Sequence, residues 1–131
     1  MNALKNYTPH EIVVIARESV QFNYTIRKYV ASEDYKILQK IPSMGVLSAK
    51  IETVFIGTND FGVPMYEKKI TGFDALPEGN LIVSALYASA VAKLAPAEVG
   101  RLYTIADPVY TTDGKTVLGC LGICIVNHGD C

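Results

Sequence analysis

The sequence predicts an α+β fold: a mainly antiparallel β-sheet with one principal α-helix, in a single compact domain. Short apolar runs recur along the chain, some with period-two alternation, and clusters of Gly, Pro, Asn and Asp punctuate them. One segment, residues 85–94, has helical composition with both a start and a stop signal. The 131 residues are 50% apolar and 19% charged, which supplies one core, leaves no length for a second domain, and excludes disorder.

The elements follow in order. Asn6-Tyr7-Thr8-Pro9-His10-Glu11 is a turn, because Asn and Thr side chains close turns on their own backbone and Pro9 fixes φ. It feeds an apolar strand over residues 11–16. Val20, Phe22, Tyr24 and Ile26 alternate with Gln21, Asn23, Thr25 and Arg27, which predicts a half-buried strand. Ser32-Glu33-Asp34 reads as its turn and residues 35–41 as the returning partner, so residues 17–40 form a hairpin-like excursion. Pro42-Ser43-Met44-Gly45 turns into a strand over residues 47–56, the turn formers of residues 57–62 end it, and residues 63–70 pair back antiparallel.

Leu81-Ile82-Val83 forms a further apolar triplet, and Ser84 is a good N-cap for the helix. Leu86, Ala90, Val91 and Leu94 are expected on its packed face, with Pro96 marking its end. Residues 102–105 and 117–126 complete the strands. Asp113-Gly114 supplies the φ > 0 position of a tight hairpin before the last strand, whose apolar character places it mid-sheet. The strands near the two ends are expected to share one sheet.

A formal charge of −1 argues against binding duplex nucleic acid, although a small anionic ligand needs only two or three local cations. No charged segment followed by an apolar one opens the chain, and the longest apolar stretch, residues 118–126, is far short of a membrane span. A cytoplasmic protein without a membrane partner is expected. So high an apolar fraction also predicts a homodimer or higher homo-oligomer.

The three cysteines, Cys120, Cys124 and Cys131, fall within the last twelve residues. Without an export signal, disulfides are not expected. With His128 they offer the ligand set of a structural zinc site, but the spacing is not that of a typical knuckle. Cys120 and Cys124 also read as alternate positions of one buried strand, where free cysteine acts as a small hydrophobe.

Catalytic vocabulary is sparse. His10 stands at a strand entrance, where a bond to its turn is expected, and His128 lies in a Gly-containing tail. No Gly-x-Ser-x-Gly elbow is present, and Gly114-Lys115-Thr116 lacks the upstream glycine of a phosphate loop. The carboxylates are scattered singly. A binding protein with no catalytic residues and no cofactor is therefore expected, with eight tyrosines and four phenylalanines as stacking faces and Arg17, Arg27, Lys50 and Arg101 as cations for phosphate.

The ordered string of motifs, from the Asn6–Glu11 turn through Ile41-Pro42-Ser43-Met44-Gly45, Gly62-Val63-Pro64, Gly72, Leu76-Pro77, Ile82-Val83-Ser84 and Asp107-Pro108-Val109 to Asp113-Gly114 and Gly119-Cys120, resembles a family of small phage proteins. It is identified with the first-described type of Thoeris anti-defence protein. The resemblance covers nearly the whole chain except residues 17–40, which read as an insertion. It implies a sponge that holds a cyclic ADP-ribose isomer made by a host TIR-domain sensor, without cleaving it; some relatives also hold cyclic oligonucleotides.

The candidate ligand-binding positions are Lys50, Leu81, Asp107, Pro108 and Tyr110, which the resemblance implies, and Arg101, taken for its charge. Three depart from the family pattern. Tyr110 stands where an arginine follows the Pro-Val pair, Ala49-Lys50 where a second arginine lies, and Leu81 where an aromatic precedes the Ile-Val-Ser triplet. Lys50 keeps a point charge without the bidentate fork, and Tyr110 keeps only a hydroxyl and a ring. Arg101, Arg27 or Lys28 are the candidates for replacement charge. An assembly protein without a ligand is the alternative reading.

Overall fold

The computed structural model describes residues 4–126. Its strands are β1 (Leu4–Asn6), β2 (Ile12–Ile15), β3 (Val20–Asn23), β4 (Lys28–Ala31), β5 (Ile37–Ile41), β6 (Ala49–Thr58), β7 (Pro64–Phe73), β8 (Asn80–Ile82), β9 (Leu102–Tyr110) and β10 (Val117–Ile125), with helix α1 (Ala85–Leu94) between β8 and β9. The main sheet runs β1-β8-β9-β10-β2-β5, and the β3–β4 hairpin joins it through β4 on β9. The longest ladders are antiparallel, while the parallel contacts of β1 with β8, β8 with β9, β10 with β2 and β4 with β9 are short. The α+β architecture is the one the sequence predicts.

The two edges of this sheet meet. Asn6 at the end of β1 bridges Ser43, two residues beyond β5, and donates from Nδ2 to the Ile41 carbonyl at 3.0 Å. Curling the sheet in this way buries its inner face without a second layer. Ile12, Ile82 and Cys120 form that interior, with Leu4, Val14, Ile41, Tyr103 and Ile123 packed around them.

On the outer face, α1 covers Leu81, Val83 and Leu102 through Tyr87, Ala88 and Val91. Successive residues of a strand point to opposite faces, so Leu81 packs under the helix and Ile82 inside the curl. The packed side of α1 differs from the expected one: Tyr87, Ala88, Ala90 and Val91 are buried, whereas Leu86 and Leu94 stand half exposed. Ser84 caps the helix as expected, its Oγ accepting from Tyr87 N at 3.2 Å.

Residues 17–40 depart most from expectation. The alternation of residues 20–27 is not one strand, because the Asn23 side chain accepts from the backbone N–H groups of Thr25 and Ile26 and turns the chain there. Tyr24 points into solvent, β3 pairs with β4, and β5 pairs with β2 rather than with β3. The segment adds strands to the sheet instead of standing apart from it.

Strands β6 and β7 form the expected antiparallel pair, but as a separate two-stranded ribbon. Gly119 has no Cβ because β10 runs against β2: a methyl there would collide with the Val13 carbonyl oxygen. The Asp113 hairpin is built as expected. Gly114 has φ of 74°, and the Asp113 carboxylate accepts from Thr111 Oγ1 at 2.5 Å and Lys115 N at 2.9 Å.

Candidate functional site

The residues proposed from the sequence do not converge within one protomer. Leu81 is wholly buried under α1 and has no surface to offer a ligand. Arg101 is consumed structurally: Nη1 donates to the carbonyls of Pro77 at 2.7 Å and Gly79 at 2.9 Å, and Nε and Nη2 hold Glu98 at 3.0 and 2.9 Å. It clamps the connection between β7 and β8. Tyr110 lies half buried with Lys28 Nζ 4.4 Å from its ring centroid, and the same ammonium donates to the Gly114 carbonyl. Lys50 is exposed on the ribbon opposite Gly72. Of the six, Pro108 alone lines a cavity suited to a ligand.

That cavity is a trough built on the Asn6–Glu11 turn. Asn6 is fully buried, and its Oδ1 accepts from Thr8 N at 2.9 Å and Thr8 Oγ1 at 2.6 Å, while Nδ2 donates to the His10 carbonyl at 2.9 Å. The bond expected of His10 to its turn is made by its backbone carbonyl and not by its imidazole. These bonds hold Pro9, His10 and Glu11 outward along one wall.

Two adjoining hollows, of about 370 and 260 Å³, share His10, Glu11, Ile12 and Ile105. The first extends to Ser84, Ala85 and Thr104, beneath the N-terminus of α1. The second extends along Pro108, Val117 and Gly119. Aliphatic plates thus alternate with an imidazole, a carboxylate, hydroxyls and the positive end of a helix.

Asp107 in β9 has φ of 36°, a left-handed conformation unusual for a residue with a side chain and immediately before a proline. Such strain persists only where surrounding structure enforces it. The β9–β10 ladder enforces it here, pairing Ala106 with Gly122 and Pro108 with Cys120 on either side.

Burial pushes the Cys120 thiol above its ordinary range, against a smaller opposing hydrogen bond at Gly122, and makes it a core group. Cys124 is disulfide-bonded, contrary to the expectation of reduced thiols. The zinc reading also needs His128 and Cys131, which lie outside the described residues. Among the described residues no group of three or more His, Cys, Asp or Glu side chains could hold a metal ion. No described helix is long and apolar enough to cross a membrane.

Fold and site together define an α+β domain with an open, mixed-polarity trough at a helix N-terminus. No protein-family model, curated protein or solved structure matches the chain.

Proposed function

We propose that the protein captures a cyclic nucleotide second messenger without cleaving it and so blocks bacterial anti-phage signalling. A cyclic ADP-ribose isomer such as glycocyclic ADP-ribose is the ligand that the Thoeris anti-defence resemblance implies. The proposed setting is the cytoplasm of an infected bacterium, and the working form a homodimer or higher homo-oligomer.

The trough is the observation that carries this reading. Its two hollows are of the order of ligand pockets, about 300–1,000 Å³. Ile12, Ile105 and Pro108 offer apolar faces for a base. The backbone N–H groups opening α1, with His10 and Thr104, offer donors for ribose and phosphate oxygens. The proposed contacts thereby move from Lys50, Leu81, Arg101, Asp107 and Tyr110 to His10, Ser84 and Thr104, with Pro108 retained.

Thermal unfolding with cyclic ADP-ribose isomers and cyclic di- and trinucleotides tests it, followed by heating to recover the ligand. Ligand at a hundred times its Kd adds about 2.7 kcal/mol, a shift of several degrees in a domain of this size. The shift should disappear in His10→Ala and Thr104→Val and persist in Tyr110→Ala. Recovery of intact ligand supports sequestration, whereas altered ligand means catalysis. No shift with any nucleotide would sink the reading and favour an assembly protein, to which the exposed ribbon already lends support.

A further inference from the structure

The β6–β7 ribbon leaves the body of the protein with both faces in water: residues 50–69 are exposed except the half-buried Val54 and Gly57. Alternation puts Ala49, Ile51, Thr53 and Phe55 on one face, and the cross-strand register adds Phe73, Ile70, Lys68 and Tyr66 to it. This apolar stripe starts in the core. Phe73 stands edge-on to Tyr87 of α1, with ring centroids 5.9 Å apart. Further out, Phe55 and Tyr66 make an edge-on pair at 5.6 Å while remaining 56% and 59% exposed, and Phe61 at the tip is 91% exposed.

A lone two-stranded ribbon is marginal in water, and soluble monomers seldom carry contiguous apolar patches beyond a few hundred Å². On the stripe and at its tip, Ile51, Phe55, Tyr66 and Phe61 expose about 500 Å², more than half of the ~800 Å² that one partner brings to a standard interface.

We propose that this stripe is where two copies of the chain pair, ribbon against ribbon about a two-fold axis, with Phe55 and Tyr66 at the centre. Charge favours a second copy over a polyanion or a membrane surface. Lys50, Lys68 and Lys69 on the ribbon are balanced by Glu52, Asp60 and Glu67, which leaves no net field to attract either. Lys68 is the one charge on the stripe. With the axis at the Phe55–Tyr66 rung, it meets the Thr58–Pro64 rung of the second copy and not its own counterpart.

The pairing deepens the oligomeric part of the reading above and is measured without ligand, so a failure to pair and a failure to bind nucleotide are seen separately. Sedimentation equilibrium of the full chain at tens of micromolar should show a self-associated parent. Phe55→Lys and Tyr66→Ser should dissociate it with unchanged far-ultraviolet circular dichroism, since neither side chain supports the core. Met65→Lys, on the opposite face, should leave the assembly intact. Mixing Phe55→Lys with Phe55→Glu should restore association, because the two charges would meet at the axis. A monomeric parent, or an assembly that survives both stripe variants, overturns the proposal.

Discussion

Replacing Asn6 should cost more stability than its place near the chain terminus suggests. Its side chain is fully buried and makes four hydrogen bonds that tie β1 to the Thr8–His10 turn and to the end of β5, where the sheet closes. In Asn6→Ala the Thr8 N–H loses its acceptor, and the His10 and Ile41 carbonyls each lose a donor. Some of this is recovered, because the Thr8 hydroxyl already lies 3.1 Å from the His10 carbonyl and can donate there fully. A buried polar group left unpaired costs about 1–3 kcal/mol, so the sum is about 3–5 kcal/mol once the small void is included.

That is a large share of the ~5–15 kcal/mol that holds a typical domain, and should lower Tm by about 10–20 °C. Asn6→Asp separates shape from bonding. It keeps the acceptor for Thr8 but sets a carboxylate oxygen where Nδ2 now lies 2.9 and 3.0 Å from two carbonyl oxygens. The folded state then raises the pKa of that carboxyl, so the penalty is full above the folded pKa and fades as pH falls to about 4 and below. Urea unfolding at pH 7 and pH 4 measures both variants. An Ala variant within about 1 kcal/mol of the parent, or an Asp variant equal to it at pH 7, would refute the idea that Asn6 closes the sheet.

Three further outcomes are expected. Gly119→Ala forces a methyl against the Val13 carbonyl, which cannot move without parting β10 from β2, and should cost at least about 1–3 kcal/mol in urea unfolding with an unchanged m-value. Arg101→Lys should fail to replace the clamp on Pro77 and Gly79, since one ammonium cannot reproduce the guanidinium fork; amide exchange at Gly79 and Asn80 should quicken as much as in Arg101→Ala. The Asp113 carboxyl should titrate below 3.8, held down first by the Thr111 hydroxyl and then by the Lys115 N–H. Its contribution to stability is present above the unfolded pKa and is lost as pH falls through the lower folded one, so a carboxyl carbon titration by NMR that shows no depression would contradict the hairpin geometry.

Local chemistry fixed what could be read from the sequence alone. The limits of α1 were legible because Ser84 bonds its own first turn and Pro96 cannot continue it. The β6–β7 pairing and the Asp113 turn before β10 were legible because their turn formers lie beside the strands they join, although β9 runs on to Tyr110 where residues 102–105 were expected. Polarity alternation did not distinguish a strand from a turn at Tyr24–Arg27, where one Asn23 side chain decides the matter. The side of α1 that packs was also hidden, since Ala-rich helices offer several faces of similar polarity and the sheet beneath chooses among them.

Pairings between distant segments were decided only in three dimensions. β10 beside β2, β4 on β9 and the meeting of Asn6 with Ser43 each join stretches whose own sequences name no partner. The site shares that dependence. Pro108 reaches the trough because β9 runs beside the turn and helix that form it, whereas Lys50 leaves on the ribbon and Leu81 and Arg101 serve the core and its connections. Sequence set the turns, the caps and the supply of apolar side chains, because those depend on neighbours a few residues away; the closure of the sheet decided which of them meet, because burial and backbone hydrogen bonding are satisfied only by the whole chain together.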